Sequence, residues 1–259
     1  MKVAVLQMKT AFARPEENLA SLPHLVAEAM EEEPDVLLLP ELWQTGFYPR
    51  PIEDYADPGG RETQKTLGAL AAQHHVNIVG GTTARLGEDG LVYNTCYVLD
   101  RAGEVITSYD KTHLFSPSGE DRDFAAGSRA CTFQLEGLHC ALAVCYDIRF
   151  GPFMDKLGQS GADILFVAAA WPLTRLSHWQ TLLRARAIEQ QFFVAAANGA
   201  GGPAKQPLAG HSALIDPWGE CLAQAGEGQE IISAKLDMSL PRQVRERLPV
   251  RRDRRPELY

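Results

Sequence analysis

Short, almost purely apolar runs alternate along this chain with longer amphipathic stretches. The runs at residues 2–7, 35–39, 138–144, 163–169 and 192–197 show no apolar/polar alternation. That is the pattern of strands buried on both faces, in a sheet covered by helices or by another sheet. Residues 15–32 carry Leu19, Leu22, Val26, Ala29 and Met30 at helical spacing, with Pro23 expected to kink the helix. Residues 62–75, 153–159 and 177–190 also fit helices, the last with Trp179, Leu182, Leu183 and Ala187 as its expected buried stripe. Further strands are expected over 77–83, 93–100, 105–110, 131–135 and 211–215, with two short ones reaching residue 236. Glu136-Gly137 has the composition of a two-residue hairpin turn, and turns are expected at 87–90, 101–104 and 216–219. Residues 44–60 form a loop rich in Pro, Gly and aromatics, and 112–130 form a second loop long enough to point to a function.

Strands alternating with helices define an α/β chain. Its two halves share an order: strand, helix, strand, then a candidate residue at the strand end. Two similar layered halves are expected, within a single domain spanning residues 1–259, since no stretch has the composition of a linker.

Composition narrows the function classes. Lys plus Arg number 25 against 33 Asp plus Glu, a net charge of −8, which argues against nucleic-acid binding because that needs a dense positive footprint. The basic cluster Arg251-Arg252-Asp253-Arg254-Arg255 reads as a solvated tail or a subunit contact. Five cysteines, an odd number, without a secretory leader fit free thiols in a reducing cytoplasm. No run approaches the roughly 20 apolar residues of a membrane span.

The chemistry concentrates at strand ends. The run at 138–144 stops at Cys145, the run at 35–39 at Pro40-Glu41, and the strand at 105–110 at Lys111. The C-terminal edges of strands are where α/β proteins tend to place reactive groups. A thiol of ordinary pKa is only a few per cent ionised at neutral pH, so a cysteine nucleophile needs a base or a cation beside it. Glu41 would take the thiol proton, return it to a leaving amine and later activate water. Lys111 would stabilise thiolate and oxyanion, with the backbone N–H of Tyr146 as a second oxyanion donor. Taken singly, each of these residues reads equally as a core thiol, a surface carboxylate or a solvated lysine. Cys140 and Cys145, five apart, point to opposite faces of a straight strand, and no Cys-x-x-Cys or paired histidines lie nearby, so no metal site is expected. His113 and His178 read as satisfied polar contacts. Walker, dinucleotide and Gly-x-Ser-x-Gly motifs are missing.

Three ordered segments carry a family resemblance: Leu39-Pro40-Glu41-Leu42-Trp43, Tyr109-Asp110-Lys111-Thr112-His113-Leu114-Phe115 and Val144-Cys145-Tyr146-Asp147-Ile148-Arg149-Phe150. They resemble signatures of the nitrilase, or carbon-nitrogen hydrolase, superfamily. The similarity extends through residues 183–191, Ala197-Asn198 and residues 210–219. It implies a four-layer α-β-β-α sandwich, chemistry without a cofactor, a Glu41–Lys111–Cys145 catalytic triad, and Glu120 as the second glutamate that many members place near the lysine. Glu120 otherwise reads as a loop carboxylate. Members with this cysteine motif usually continue Arg-Phe-Pro-Glu, whereas this chain continues Arg149-Phe150-Gly151-Pro152, which leaves the local turn open. Arg149 has two readings, a structural ion pair or a contact to a substrate carboxylate. Tyr48, Phe115 and Trp171 are candidates for the pocket rim, or else core.

The implied activity is hydrolysis of a small non-peptide amide through a thioester, on a short aliphatic amide or an ω-amide of a 2-oxo acid. A nitrilase or an N-carbamoyl amine hydrolase would use the same triad, and a catalytically silent binding member is the alternative outside enzymes. The expected partners are the amide and water, and further copies of the chain in a homo-oligomer.

Overall fold

The computed structural model describes residues 1–203 and 205–258. In chain order, β1 (Lys2–Gln7), α1 (Pro15–Met30) and β2 (Val36–Leu38) precede β3 (Asp57–Pro58), α2 (Arg61–His74), β4 (Asn77–Val79), β5 (Thr83–Leu86), β6 (Val92–Leu99) and β7 (Val105–Asp110). The short helix α3 (Glu120–Asp123) leads to β8 (Cys131–Leu135), β9 (Leu138–Val144), α4 (Gly151–Gln159), β10 (Ile164–Ala169), α5 (Leu176–Gln190) and β11 (Phe193–Asn198). Short strands β12 (Ala200–Gly201), β13 (Leu208–Ala209), β14 (Ala213–Ile215), β15 (Cys221–Gln224) and β16 (Glu230–Lys235) follow, and then α6 (Leu240–Arg247).

The strands form two main sheets, one in the order β16-β1-β2-β4-β6-β5-β3 with β7 beside β6, the other in the order β15-β14-β11-β10-β9-β8. Each has a parallel centre, β1-β2-β4 in the first and β9-β10-β11 in the second. Side-chain alternation in the apolar runs assigns the layers. Val3, Val5, Val36 and Leu38 face the core between the sheets, while Ala4, Leu6, Leu37 and Leu39 meet Leu22 and Val26 of α1 and Leu67 and Ala71 of α2. On the far side, Leu157 of α4 and Trp179, Leu183 and Ala187 of α5 cover the second sheet. The outcome is the α-β-β-α sandwich expected from the family resemblance. Glu136 and Gly137 both have positive φ (52° and 75°), as the hairpin joining β8 to β9 requires.

Several local expectations are corrected. The strand expected over 77–83 breaks after Val79, because Gly81 turns at φ 59° and a Cβ there would lie 2.1 Å from the Pro40 carbonyl oxygen. That close approach seats the turn against the residues leading into Glu41. The loop at 112–130 contains α3, with Glu120 as its first residue. In α5, Leu182 is only partly buried and Arg186 is buried instead, its Nε donating to the Ile148 carbonyl at 2.9 Å. Gly151 and Pro152 open α4, with the proline in the first turn where its missing N–H costs nothing. The basic C-terminal cluster is no free tail: Arg254 pairs with Asp155 at 2.6 Å and Arg251 donates to the Gln190 carbonyl at 2.9 Å.

Candidate active site

The ends of β2, β7 and β9 converge where the two sheets meet, and they bring Glu41, Lys111 and Cys145 together with Glu120. Lys111 Nζ lies 2.8 Å from Glu41 Oε1 and 2.8 and 2.9 Å from the two oxygens of Glu120. Both carboxylates and the ammonium are fully enclosed, their side chains 0% exposed. Buried charges persist only when their remaining lone pairs and protons are satisfied. Here Asn94, in the middle of β6, donates to Glu41 at 2.8 Å and to Glu120 at 3.0 Å. The Ala170 N–H donates to Glu41 Oε2 at 2.8 Å, and the Phe115 N–H to Glu120 Oε2 at 2.6 Å. The Ala170 contact crosses from the second sheet to the first, so the interface between sheets fixes the carboxylate.

Cys145 begins the turn between β9 and α4 with φ 47°, and Leu42, beside Glu41, has φ 50°. Left-handed backbone at non-glycine residues costs of order 1–3 kcal/mol and concentrates at functional sites. The Cys145 turn is pinned by the buried carboxylate of Asp147. Its oxygens accept from the Val144 N–H (2.8 Å), the Tyr109 hydroxyl (2.8 Å) and the His113 N–H (3.0 Å), and His113 Nδ1 lies 2.7 Å away. Tyr109 and His113 flank Lys111, so Asp147 ties the lysine's segment to the cysteine's. His113 is thus the satisfied polar contact expected of it. His178 is exposed, with Nδ1 3.2 Å from Arg149.

Electrostatics follow from enclosing one more negative than positive charge. Burial pushes the Glu41 carboxyl above the usual glutamate range, despite the Lys111 charge beside it. Burial, and then the Glu41 charge, push the Cys145 thiol well above its ordinary value. Burial alone would pull Lys111 down, but the charges of Glu120 and Glu41 together outweigh it and hold the ammonium well above the lysine range. The resting site therefore holds a neutral thiol beside the Glu41 charge. Such a set is suited to deprotonating the thiol only as it attacks.

Above the thiol is a narrow pocket, partly open to solvent, with about 20 Å³ of free space, so that a substrate larger than one water-sized group enters by displacing the lining side chains. Phe115, Tyr146, Arg149 and Trp171 line it. Tyr48 does not. Its neighbour Phe47 takes that place, while Tyr48 is buried against Phe124 and its hydroxyl donates to the Ser118 carbonyl at 3.3 Å, bracing the loop that carries Glu120. Among the described residues Arg149 has no acidic partner, which removes its ion-pair reading. Its guanidinium lies 4.6 Å from the Trp171 ring centre. A second cation, Arg175, also lines the pocket, 5.0 Å from the Phe115 ring centre. Burial, and then the charge of Arg175, pull Arg149 below the ordinary arginine value.

Sequence reasoning missed Asn94, Asp147, Arg175 and Phe47. Asn94 left a faint signal, an amide in the middle of a strand-forming run; Arg175 left none.

This fold and site have known counterparts. The carbon-nitrogen hydrolase family profile matches residues 2–246, and the chain belongs to that family. It is 41% identical over 257 residues to the 2-oxoglutaramate amidase of Bacillus subtilis (strain 168), covering 99% of this chain and 98% of that one. It is 30% identical over 252 residues to an omega-amidase of Xenopus tropicalis, covering 94% and 91%. Among solved structures, a nitrilase-superfamily member of Saccharomyces cerevisiae superposes with TM-score 0.91 at 26% identity, covering 98% of this chain and 96% of that one. An amidase from Nesterenkonia sp. AN1, a mutant showing Michael addition of acrylamide at its active site cysteine, superposes with TM-score 0.85 at 25% identity, covering 100% and 98%. The protein is thus a hydrolase of non-peptide carbon-nitrogen bonds. Among the described residues no helix is long and apolar enough to cross a membrane.

Proposed function

We propose that the protein hydrolyses the ω-amide of a short 2-oxo dicarboxylic acid through a thioester on Cys145. The observation that carries this reading is a buried thiol beside the Glu41 charge, at the floor of a pocket whose wall holds two arginines that, among the described residues, have no acidic partner. Glu41 takes the thiol proton as Sγ attacks the amide carbon. Lys111 and the Tyr146 N–H hold the resulting oxyanion. The C–N bond breaks, and the amine takes the proton from Glu41 and leaves as ammonia. Water then attacks the thioester and gives its proton to Glu41. The C–S bond breaks, the sulfur recovers that proton, and the carboxylic acid departs. Glu120 keeps Lys111 charged, and Asn94 aligns the Glu41 carboxylate. Arg149 meets the substrate's distal carboxylate, its guanidinium donors matched to that group. The similarity to a 2-oxoglutaramate amidase supports this choice of substrate.

Ammonia release from 2-oxo ω-amides, simple aliphatic amides, carbamoyl amines and nitriles tests the reading; a best substrate without a carboxylate would overturn it. The pH profile has a definite sign. The base form of Glu41 is required and burial raises its pKa, so kcat/KM falls with decreasing pH about a midpoint above that of an ordinary glutamate. An acid limb at or below the ordinary glutamate value would contradict the role of Glu41.

We further infer a homo-oligomer built on the surface where Trp218 and Leu248 line one groove and Ile188 lies against the neighbouring Gly219, the three side chains standing 41–51% exposed. Contiguous exposed apolar side chains mark interfaces. Sedimentation equilibrium of the wild type and of Ile188→Glu checks this, with dissociation of the variant expected and a monomeric wild type contradicting it.

A further inference from the structure

The pocket wall carries more positive charge than one substrate carboxylate needs. Arg175 is held by its own backbone, its N–H donating to the Pro172 carbonyl at 3.0 Å and its carbonyl accepting from Trp171 Nε1 at 2.8 Å. The other face of the same arrangement is Arg149, stacked 4.6 Å from the Trp171 ring centre. Trp171 thus touches both arginines, Arg149 through its ring face and Arg175 through the backbone carbonyl. Phe115 supports the second from below, its ring in turn edge-on to Tyr146 at 5.0 Å. Among the described residues no aspartate or glutamate lines this pocket, in a chain that has an acidic excess to spare. Cations left unpaired beside a reactive thiol await an anion that arrives with the ligand.

Resting on the proposed function, we propose that Arg175 is a specificity-determining residue that admits ω-amides of 2-oxo acids and rejects the ω-amides of α-amino acids. The two substrate types have the same amide and the same carboxylate and differ only at the carbon next to that carboxylate. A 2-oxo group presents a further acceptor oxygen there, which the donors of a second guanidinium suit. An α-amino acid presents an ammonium there, a like charge against Arg175 with no carboxylate on the wall to offset it. Juxtaposed like charges in a partly desolvated site discriminate strongly. Arg149 has a different role, since it meets the carboxylate that both substrate types share.

The test measures kcat/KM of the full chain for 2-oxoglutaramate, L-glutamine and glutaramate, in the wild type and in Arg175→Gln, Arg175→Glu and Arg175→Lys. The expected result is a wild-type preference for 2-oxoglutaramate over L-glutamine that narrows by at least about tenfold in Arg175→Gln and further in Arg175→Glu. Arg175→Lys, which keeps the charge, retains most of the preference, and Arg149→Gln weakens both substrates together. A ratio that stays within about twofold of wild type in both Arg175→Gln and Arg175→Glu, with 2-oxoglutaramate still turned over, overturns the role of Arg175 and leaves the proposed function standing. A wild type that releases ammonia from none of the three overturns both.

Discussion

Replacing Lys111 with methionine is expected to lower stability by about 3–5 kcal/mol and to abolish measurable turnover, because it leaves two buried carboxylates facing each other without their shared cation. Methionine fills the space of the lysine stem, so the loss reports the charge more than a cavity. The deficit has a pH signature. Burial raises the Glu41 carboxyl, so lowering the pH neutralises one of the two unpaired charges early, and the gap between variant and wild type should shrink toward acid. On the alkaline side the ammonium, raised in the folded protein, contributes fully below the unfolded lysine pKa and loses its contribution as the pH climbs through the folded value. Urea unfolding at several pH values checks this. A Lys111→Met protein as stable as wild type at neutral pH would mean that the enclosed cluster is not charged as described.

The second large effect falls on Glu41. Glu41→Gln keeps the shape and still offers Lys111 and Asn94 an acceptor, but it has no proton affinity to spare. Loss of a positioned base typically costs about 100- to 10,000-fold in rate. The amide nitrogen also meets the Ala170 N–H, which donates to Glu41 Oε2 at 2.8 Å in the native site. The predicted phenotype is a kcat/KM reduced within that range, with a thermal midpoint close to wild type because one buried negative charge has been removed from a site that holds an excess of them. Steady-state ammonia release and a melting curve on the same preparation separate the two effects. A Glu41→Gln variant with activity within tenfold of wild type would remove Glu41 from the chemistry.

How much of this was legible in the sequence follows from range. The doubly buried strands announced themselves as unbroken apolar runs, and the abrupt stops at Glu41, Lys111 and Cys145 put reactive side chains at strand ends. The three strand ends are far apart in sequence and meet only because two sheets pack face to face, which no local pattern encodes; the family resemblance supplied that link. Asn94 left only a faint signal because its neighbours in β6 follow ordinary strand composition, and its role needs Glu41 and Glu120, 53 and 26 positions away. Tyr48 and Phe47 show how adjacent aromatics on irregular backbone defeat a reading by residue type. One turns to the pocket and its neighbour turns away. The single strand expected over 77–83 failed at Gly80 and Gly81, where the Pro40 carbonyl approaches from across the fold. Arg186 in the buried stripe of α5 failed for the same reason, since its acceptor is the Ile148 carbonyl in the turn after Cys145. Arg175 is a rim cation whose meaning comes from what does not surround it.

The central claim, a covalent acyl-enzyme on Cys145, is tested most directly by intact-protein mass spectrometry of wild type and Cys145→Ala after rapid acid quench with 2-oxoglutaramate. The account predicts a wild-type species heavier by the mass of the substrate less ammonia, mapping to the peptide with Cys145, and no such species in the variant, which releases no ammonia. Ammonia release by Cys145→Ala, or turnover by wild type with the adduct on another residue, would contradict it.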